Sequence, residues 1–251
     1  MRTNQNEVQE TQKMKVEIWS DIMCPFCYIG KRHYEAAIAQ FDNNDKLEVV
    51  WKSFQLDPSI PIQMDTPLGV YQYLAERKGI SYAESEAMHL RVNSMAKEVG
   101  LAYNLDIAVV ANSFKAHRII QFAKKKALGE IAEEHFFRAY FILGRNLGNT
   151  ETLVEIGKEI GLTDEEIQEA LTNEDYARLV NQDIAEARNL GIRGVPFFLF
   201  NQKQGISGAQ PIEIFRQTLQ NSFSEWLEAN PSLGINNRIH GDVCTPDGDC
   251  D

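Results

Sequence analysis

The chain has 251 residues, with 25 Lys+Arg against 36 Asp+Glu and a formal charge of −11. A hydrophobic fraction of 43% and a charged fraction of 24% are ordinary for a globular protein and exclude collagen-like, low-complexity and broadly disordered chains. The acidic balance speaks against sequence-independent nucleic-acid binding, which needs clustered cations to neutralise phosphates, and no stretch approaches the ~18 apolar residues of a membrane span.

Residues 1–13 are polar, lack the apolar centre of a secretory signal and read as a disordered arm, so a cytoplasmic protein is expected. Residues 15–20 (Lys-Val-Glu-Ile-Trp-Ser) alternate and carry β-branched and aromatic side chains, which predicts a strand. From Cys24 to Phe41 apolar residues recur at helical spacing, and Asp42-Asn43-Asn44-Asp45 makes a turn. A second strand is expected over 47–56, ended by Pro58 and Pro61. Residues 64–190 then show a succession of helices and no convincing strand. Ser81 with Glu84 and Thr163 with Glu166 have capping-box spacing. Gly79, Gly100, Gly129, Gly161 and Gly191 sit where helices would end. The Met88, Val92, Met95, Val99 stripe and the Phe136, Phe137, Tyr140, Phe141 group read as helical core, and Lys124-Lys125-Lys126 as a solvated helix face. Strand character returns over 195–200 and briefly over 205–208, Pro211 opens a last helix, and residues 231–251 form a tail with little regular structure.

The resulting order, β-α-β…β-β-α, predicts an α/β sheet with helices on both faces. The roughly 130 residues between the second and third strands far exceed what a crossover needs. The expected organisation is therefore an α/β domain from 14–63 and 191–230, interrupted by a helical insertion domain over 64–190.

The four cysteines come as two close pairs, Cys24 with Cys27 and Cys244 with Cys250. On spacing alone Cys-x-x-Cys serves redox exchange, half a zinc site or inert packing. A strand just before it, a helix just after it and a proline inside it favour redox chemistry. Cys24 would sit at a helix start, where unpaired backbone N–H groups and the helix dipole favour the thiolate, the reactive form of cysteine. Pro25 presets the helical φ of the first turn. Cys27, three residues on, falls on the same face. Cys24 is thus expected to be the exposed nucleophile and Cys27 the shielded resolving thiol.

Residues 19–30 (Trp-Ser-Asp-Ile-Met-Cys-Pro-Phe-Cys-Tyr-Ile-Gly) resemble the active-site segment of DsbA-like thioredoxin-fold proteins, specifically the FrnE-like branch. Gly194-Val195-Pro196-Phe197-Phe198 resembles that family's cis-proline segment, and residues 112–118 (Asn-Ser-Phe-Lys-Ala-His-Arg) a recurrent element of its helical insert. The resemblance implies a thioredoxin fold with a helical insertion and dithiol–disulfide exchange on protein or small-molecule disulfides and thiols, glutathione among them. It implies a cis Pro196 facing Cys24, Val195 offering backbone groups to a bound peptide, and Pro25 and Phe26 at the substrate side. Pro196 also withholds an N–H, which fits a strand edge left open for substrate. No cofactor, metal, nucleic acid or membrane is called for. Exported relatives commonly carry Pro-His between the cysteines; here Phe26 offers neither charge nor hydrogen bond, so a strongly oxidising potential does not carry over.

Cys244 and Cys250 flank Pro-Asp-Gly, a sequence that can fold the chain back. They read as an auxiliary redox pair, as a disulfide pinning the tail or as two free thiols. Asp21 reads first as a helix cap and second as a proton acceptor; Lys52 as a solvated strand residue; His33 as too far round its helix to act; His117 and Arg118 as packing and helix-surface residues. Two other functions compete. One is a glutathione-dependent isomerase or transferase of the kappa type, whose members typically carry Ser where Cys24 stands. The other is non-enzymatic zinc binding through the four thiolates.

Overall fold

The computed structural model describes residues 12–62, 64 and 66–231. The second cysteine pair and nearly all of the expected N-terminal arm lie outside the described residues.

Strand β1 (Met14–Ser20) leads through a four-residue turn into α1 (Pro25–Ile38), and β2 (Leu47–Ser53) follows. Seven helices then intervene among the described residues: α2 (Val70–Lys78), α3 (Tyr82–Glu98), α4 (Phe114–Lys125), α5 (Gly129–Phe137), α6 (Thr150–Ile160), α7 (Asp164–Thr172) and α8 (Glu174–Asn189). α5 runs on into a π-helical turn, Arg138–Ile142. Strands β3 (Phe197–Phe200) and β4 (Gln204–Ser207) and helix α9 (Ile212–Ala229) complete the fold. The strand order is β2-β1-β3-β4, with β1 and β2 parallel and the other pairs antiparallel. This is an α/β thioredoxin-like fold, β-α-β…β-β-α, with a large helical insertion between β2 and β3.

Alternation along β1 explains the layers. Val16 and Ile18 pair with Phe200 and Phe198 and bury on one face beneath Tyr34 and Ala37 of α1 and Phe215, Leu219 and Phe223 of α9. Each fully buried large apolar side chain contributes roughly 1.5–3 kcal/mol relative to exposure. The residues between them, Glu17 and Trp19, point to the opposite face, where Trp19 packs with Ala187 of α8 and Ile192. The Trp19 indole Nε1 donates to the Asp183 carbonyl at 3.0 Å. α8 thus serves as the second-face helix of the sheet. α4 is the hub of the insertion: Ala116 through Ala123 are all buried.

Both expected capping boxes are present, Ser81 with Glu84 and Thr163 with Glu166. Gly79 and Gly161 end α2 and α6 in the left-handed conformation that a side chain disfavours. Gly129, in contrast, begins α5 instead of ending a helix, and Ala127 takes the positive φ there. β2 stops at Ser53 and not at Leu56, because the Leu56 N–H donates to the Asp21 carboxylate instead of to a strand.

Several charged residues lie deeper than expected. Lys52 is not a solvated strand residue: it sits among Glu17, Asp183 and Glu186 at 3.5, 3.4 and 2.7 Å and over the Trp19 ring. Arg118 is buried and donates to the Ala170 and Asn173 carbonyls, satisfying the C-terminal end of α7. Lys124 leans inward towards Asp183, while Lys125 and Lys126 remain on the surface. The Phe136, Phe137, Tyr140, Phe141 group is core as expected. Of the α3 stripe, Val92 and Val99 pack against that core, whereas Met88 and Met95 stay exposed and line a groove described below.

Candidate active site

The turn between β1 and α1 is built by Asp21. Its carbonyl accepts from Cys24 N–H at 2.8 Å. Its Oδ1 accepts from Met23 N–H at 3.1 Å and its Oδ2 from Leu56 N–H at 2.8 Å. Asp21 therefore clamps the turn and the segment after β2; it makes no side-chain cap on α1. Cys24 occupies the N-cap position in extended conformation, with Pro25 as the first helical residue. The helix end thus directs its unpaired N–H groups and positive pole at the sulfur's neighbourhood.

Both thiols are free and buried, Cys24 3% and Cys27 1% exposed. Cys24 is thus not the open surface nucleophile that its helix-start position implies. Its Sγ donates to the Val195 carbonyl at 3.5 Å, and the residue forms part of a groove wall, so access is lateral. Cys27 is fully buried near Cys24; burial and then the Cys24 thiol push its pKa well up.

The Val195–Pro196 peptide bond is cis. Pro196 is buried and Val195 half-buried. Pro196 stands just before β3, whose Phe197 pairs with both Trp19 and Ser207. β3 is therefore an interior strand, and the open feature is the Val195 backbone beside Cys24, not a sheet edge. A β-carbon at Gly30 would come within 3.0 Å of Pro196 Cγ, so glycine in α1 permits the close approach of this loop.

Beside Cys24 opens a groove of about 550 Å³. Leu56, Ile60, Val70, Leu74, Met88, Val92 and Met95 give it an apolar lining, with Phe26 at the cysteine end. Phe26 is 39% exposed, which leaves its ring available to a ligand. At the rim, Arg77 is committed to Asp57 and Tyr73, whereas Lys78 and Arg91 make no ion pair among the described residues. Tyr103 stacks on Tyr28 and donates to the Pro25 carbonyl at 2.8 Å, bracing the first turn of α1. Sequence reasoning missed Tyr103, which lies in a loop without periodicity, and read the α3 methionines as core because amphipathic spacing does not distinguish a core from a groove.

The other singled-out residues separate cleanly. His33 sits at the far side of α1, 2.7 Å from the Gln210 carbonyl. His117 is fully buried with Nε2 3.6 Å from Asp21 Oδ1. Among the described residues no group of three or more His, Cys, Asp or Glu is placed to hold a metal ion, and no helix is long and apolar enough to cross a membrane.

Comparison with known proteins places this geometry in context. Residues 15–220 match the family described as DSBA-like thioredoxin domain. The uncharacterized protein YwbO of Bacillus subtilis is 26% identical over 208 residues, 81% of this chain and 94% of its own length. A crystal structure of a probable DsbA oxidoreductase from Streptomyces coelicolor is 35% identical, covers 95% of this chain and 98% of its own, and superposes with a TM-score of 0.79. The cytosolic disulfide reductase DsbM of Pseudomonas aeruginosa, solved also with GSH, shares the fold at 19% identity, with a TM-score of 0.58 over 84% of this chain and 98% of its own.

Proposed function

The chain belongs to the DSBA-like thioredoxin domain family, and from that premise we propose that it is a thiol–disulfide oxidoreductase working through Cys24 and Cys27. The observation that carries this reading is the pair of free, buried thiols three residues apart at the start of α1, with the Val195 carbonyl on Cys24 and a groove at its side. In the reducing direction the Cys24 thiolate attacks a substrate disulfide, and one substrate sulfur leaves as a thiolate. Cys27 then loses its proton and attacks Cys24 Sγ, forming the Cys24–Cys27 disulfide and releasing the second substrate thiolate. Two electrons pass from protein to substrate, and the reverse sequence oxidises a dithiol. Pro25, Phe26, Val195 and Pro196 form the substrate contact. We place the reaction in the cytosol, where the resting form is the dithiol.

Titration of the full chain in glutathione buffers, with alkylation mapping of all four cysteines, tests this assignment. The expected result is one two-electron transition that protects Cys24 and Cys27 together; independent modification of the two across the range rules it out. The same mapping on Cys27→Ser protein examines Cys244 and Cys250. A trapped Cys24–Cys244 or Cys24–Cys250 link supports a relay with the tail, and its absence under oxidation removes the relay.

The apolar wall of the groove suits apolar side chains of a protein substrate, and the cations at its rim suit carboxylates, those of glutathione among them. Lys78 and Arg91 are the rim cations. An exposed charge contact is worth ~0.2–1 kcal/mol, so reversing both in a Lys78→Glu, Arg91→Glu protein raises KM for oxidised glutathione by about tenfold at low salt. KM for the uncharged hydroxyethyl disulfide stays within about twofold, and the difference shrinks as salt screens the rim. Steady-state kinetics with the two disulfides measures this; equal effects on both would exclude the rim as a selector.

A further inference from the structure

The exchange steps make no use of the polar cluster behind the cysteine turn. His117 of α4 has no exposed surface, and among the described residues neither ring nitrogen has a close hydrogen-bond partner. Its Nε2 lies 3.6 Å from Asp21 Oδ1. The same Oδ1 takes the Met23 N–H, while the Asp21 carbonyl takes the Cys24 N–H, and the Cys27 N–H in turn donates to the Cys24 carbonyl. One residue therefore joins the buried imidazole to the turn that carries Cys24. A carboxylate buried beside a thiol opposes the thiolate, and an imidazolium opposite it cancels that opposition.

We propose that His117 is a positioning residue for the exchange reaction: as a cation opposite Asp21 it fixes the turn that carries Cys24 and offsets the carboxylate's charge beside the cysteine pair. The inference rests on the oxidoreductase reading above. Burial works against the charged ring, but Asp21, Glu133 and the Phe54 carbonyl outweigh it and raise the His117 pKa above its ordinary value. Other groups facing the cluster are Tyr73 of α2 and Tyr140 of the π turn, both near Asp21, and, through Glu133 of α5, Lys31 of α1 and Lys124 of α4. Of the groups in the cluster, only His117 forms an ion pair with the Asp21 carboxylate among the described residues.

Removing the His117 charge destabilises the reduced pair relative to the disulfide. In glutathione buffers, His117→Gln, which keeps a donor near the Nε2 position without the charge, shifts the equilibrium about tenfold towards the disulfide, or ~30 mV for this two-electron couple. In an Asp21→Asn background the same change produces no further shift, since the charge it offset is gone. Packing alone would not produce that dependence. Because substitution of a buried residue can prevent folding, the unaltered protein supplies a second measurement: the NMR titration of His117 in the dithiol and disulfide forms. Linkage requires a higher midpoint in the dithiol form. An unchanged equilibrium in folded His117→Gln protein, or equal midpoints in the two forms, overturns the proposal while leaving the oxidoreductase reading intact. Absence of any Cys24–Cys27 couple in wild-type protein overturns both.

Discussion

Cys24→Ser protein loses disulfide exchange down to the rate of the buffer thiols alone, whereas Cys27→Ser protein completes the first step and stalls. A hydroxyl at position 24 cannot form the mixed disulfide on which every later step depends. Cys27 cannot take over, because it is 1% exposed and its burial keeps it protonated. Cys24, although 3% exposed, forms part of the groove wall and is met from the side. Iodoacetamide at neutral pH should therefore mark Cys24 before Cys27. Oxidised glutathione should leave a stable adduct on Cys24 of Cys27→Ser protein that the wild type releases as it closes its own disulfide. Insulin reduction followed by turbidity, with mass spectrometry of the adduct, checks both halves. Turnover retained in Cys24→Ser protein with glutathione present would instead support the glutathione-dependent isomerase or transferase chemistry of serine-bearing relatives.

The contrast between the two cysteines shows where sequence reasoning holds. Period-two alternation in β1 and a proline-led helix after Cys24 are local properties, and they placed the two thiols on one helical turn without any tertiary information. The capping boxes of α3 and α7 are local in the same sense. What local pattern could not supply was depth. Lys52, Arg118 and Asp21 belong to residue types that are usually solvated, and each is buried or half-buried because a partner distant in sequence meets it: Asp183 and Glu186 for Lys52, the end of α7 for Arg118, Leu56 and His117 for Asp21. The α3 methionines fail in the opposite sense. Their spacing is that of a packed face, but Met88 and Met95 are exposed along an open groove, and only the placement of α2 and α3 beside Cys24 turns that face into a groove wall.

The buried charge that costs stability is Glu133, and its removal gives the largest pH-dependent effect. The side chain is 1% exposed, and among the described residues its Oε2 has no hydrogen-bond partner. Burial is the main cause of a pKa raised to about 7, with His117, Lys31 and Lys124 pulling back the other way. The folded protein therefore holds this proton at pH values where the unfolded chain, with an ordinary glutamate, has lost it. Stability from Glu133 is complete below the unfolded value near 4.5 and falls as pH rises through about 7. At ~1.36 kcal/mol per pKa unit, the loss amounts to about 3 kcal/mol by pH 8. Glu133→Gln carries no titrating proton, so its stability relative to wild type should rise by about 2.5 kcal/mol between pH 5 and pH 8, part of the loss being already complete at pH 5, and urea denaturation at the two pH values measures it. A constant difference between the two proteins would mean that Glu133 stays ionised in the folded state and that the cations around it, His117 foremost, neutralise it fully.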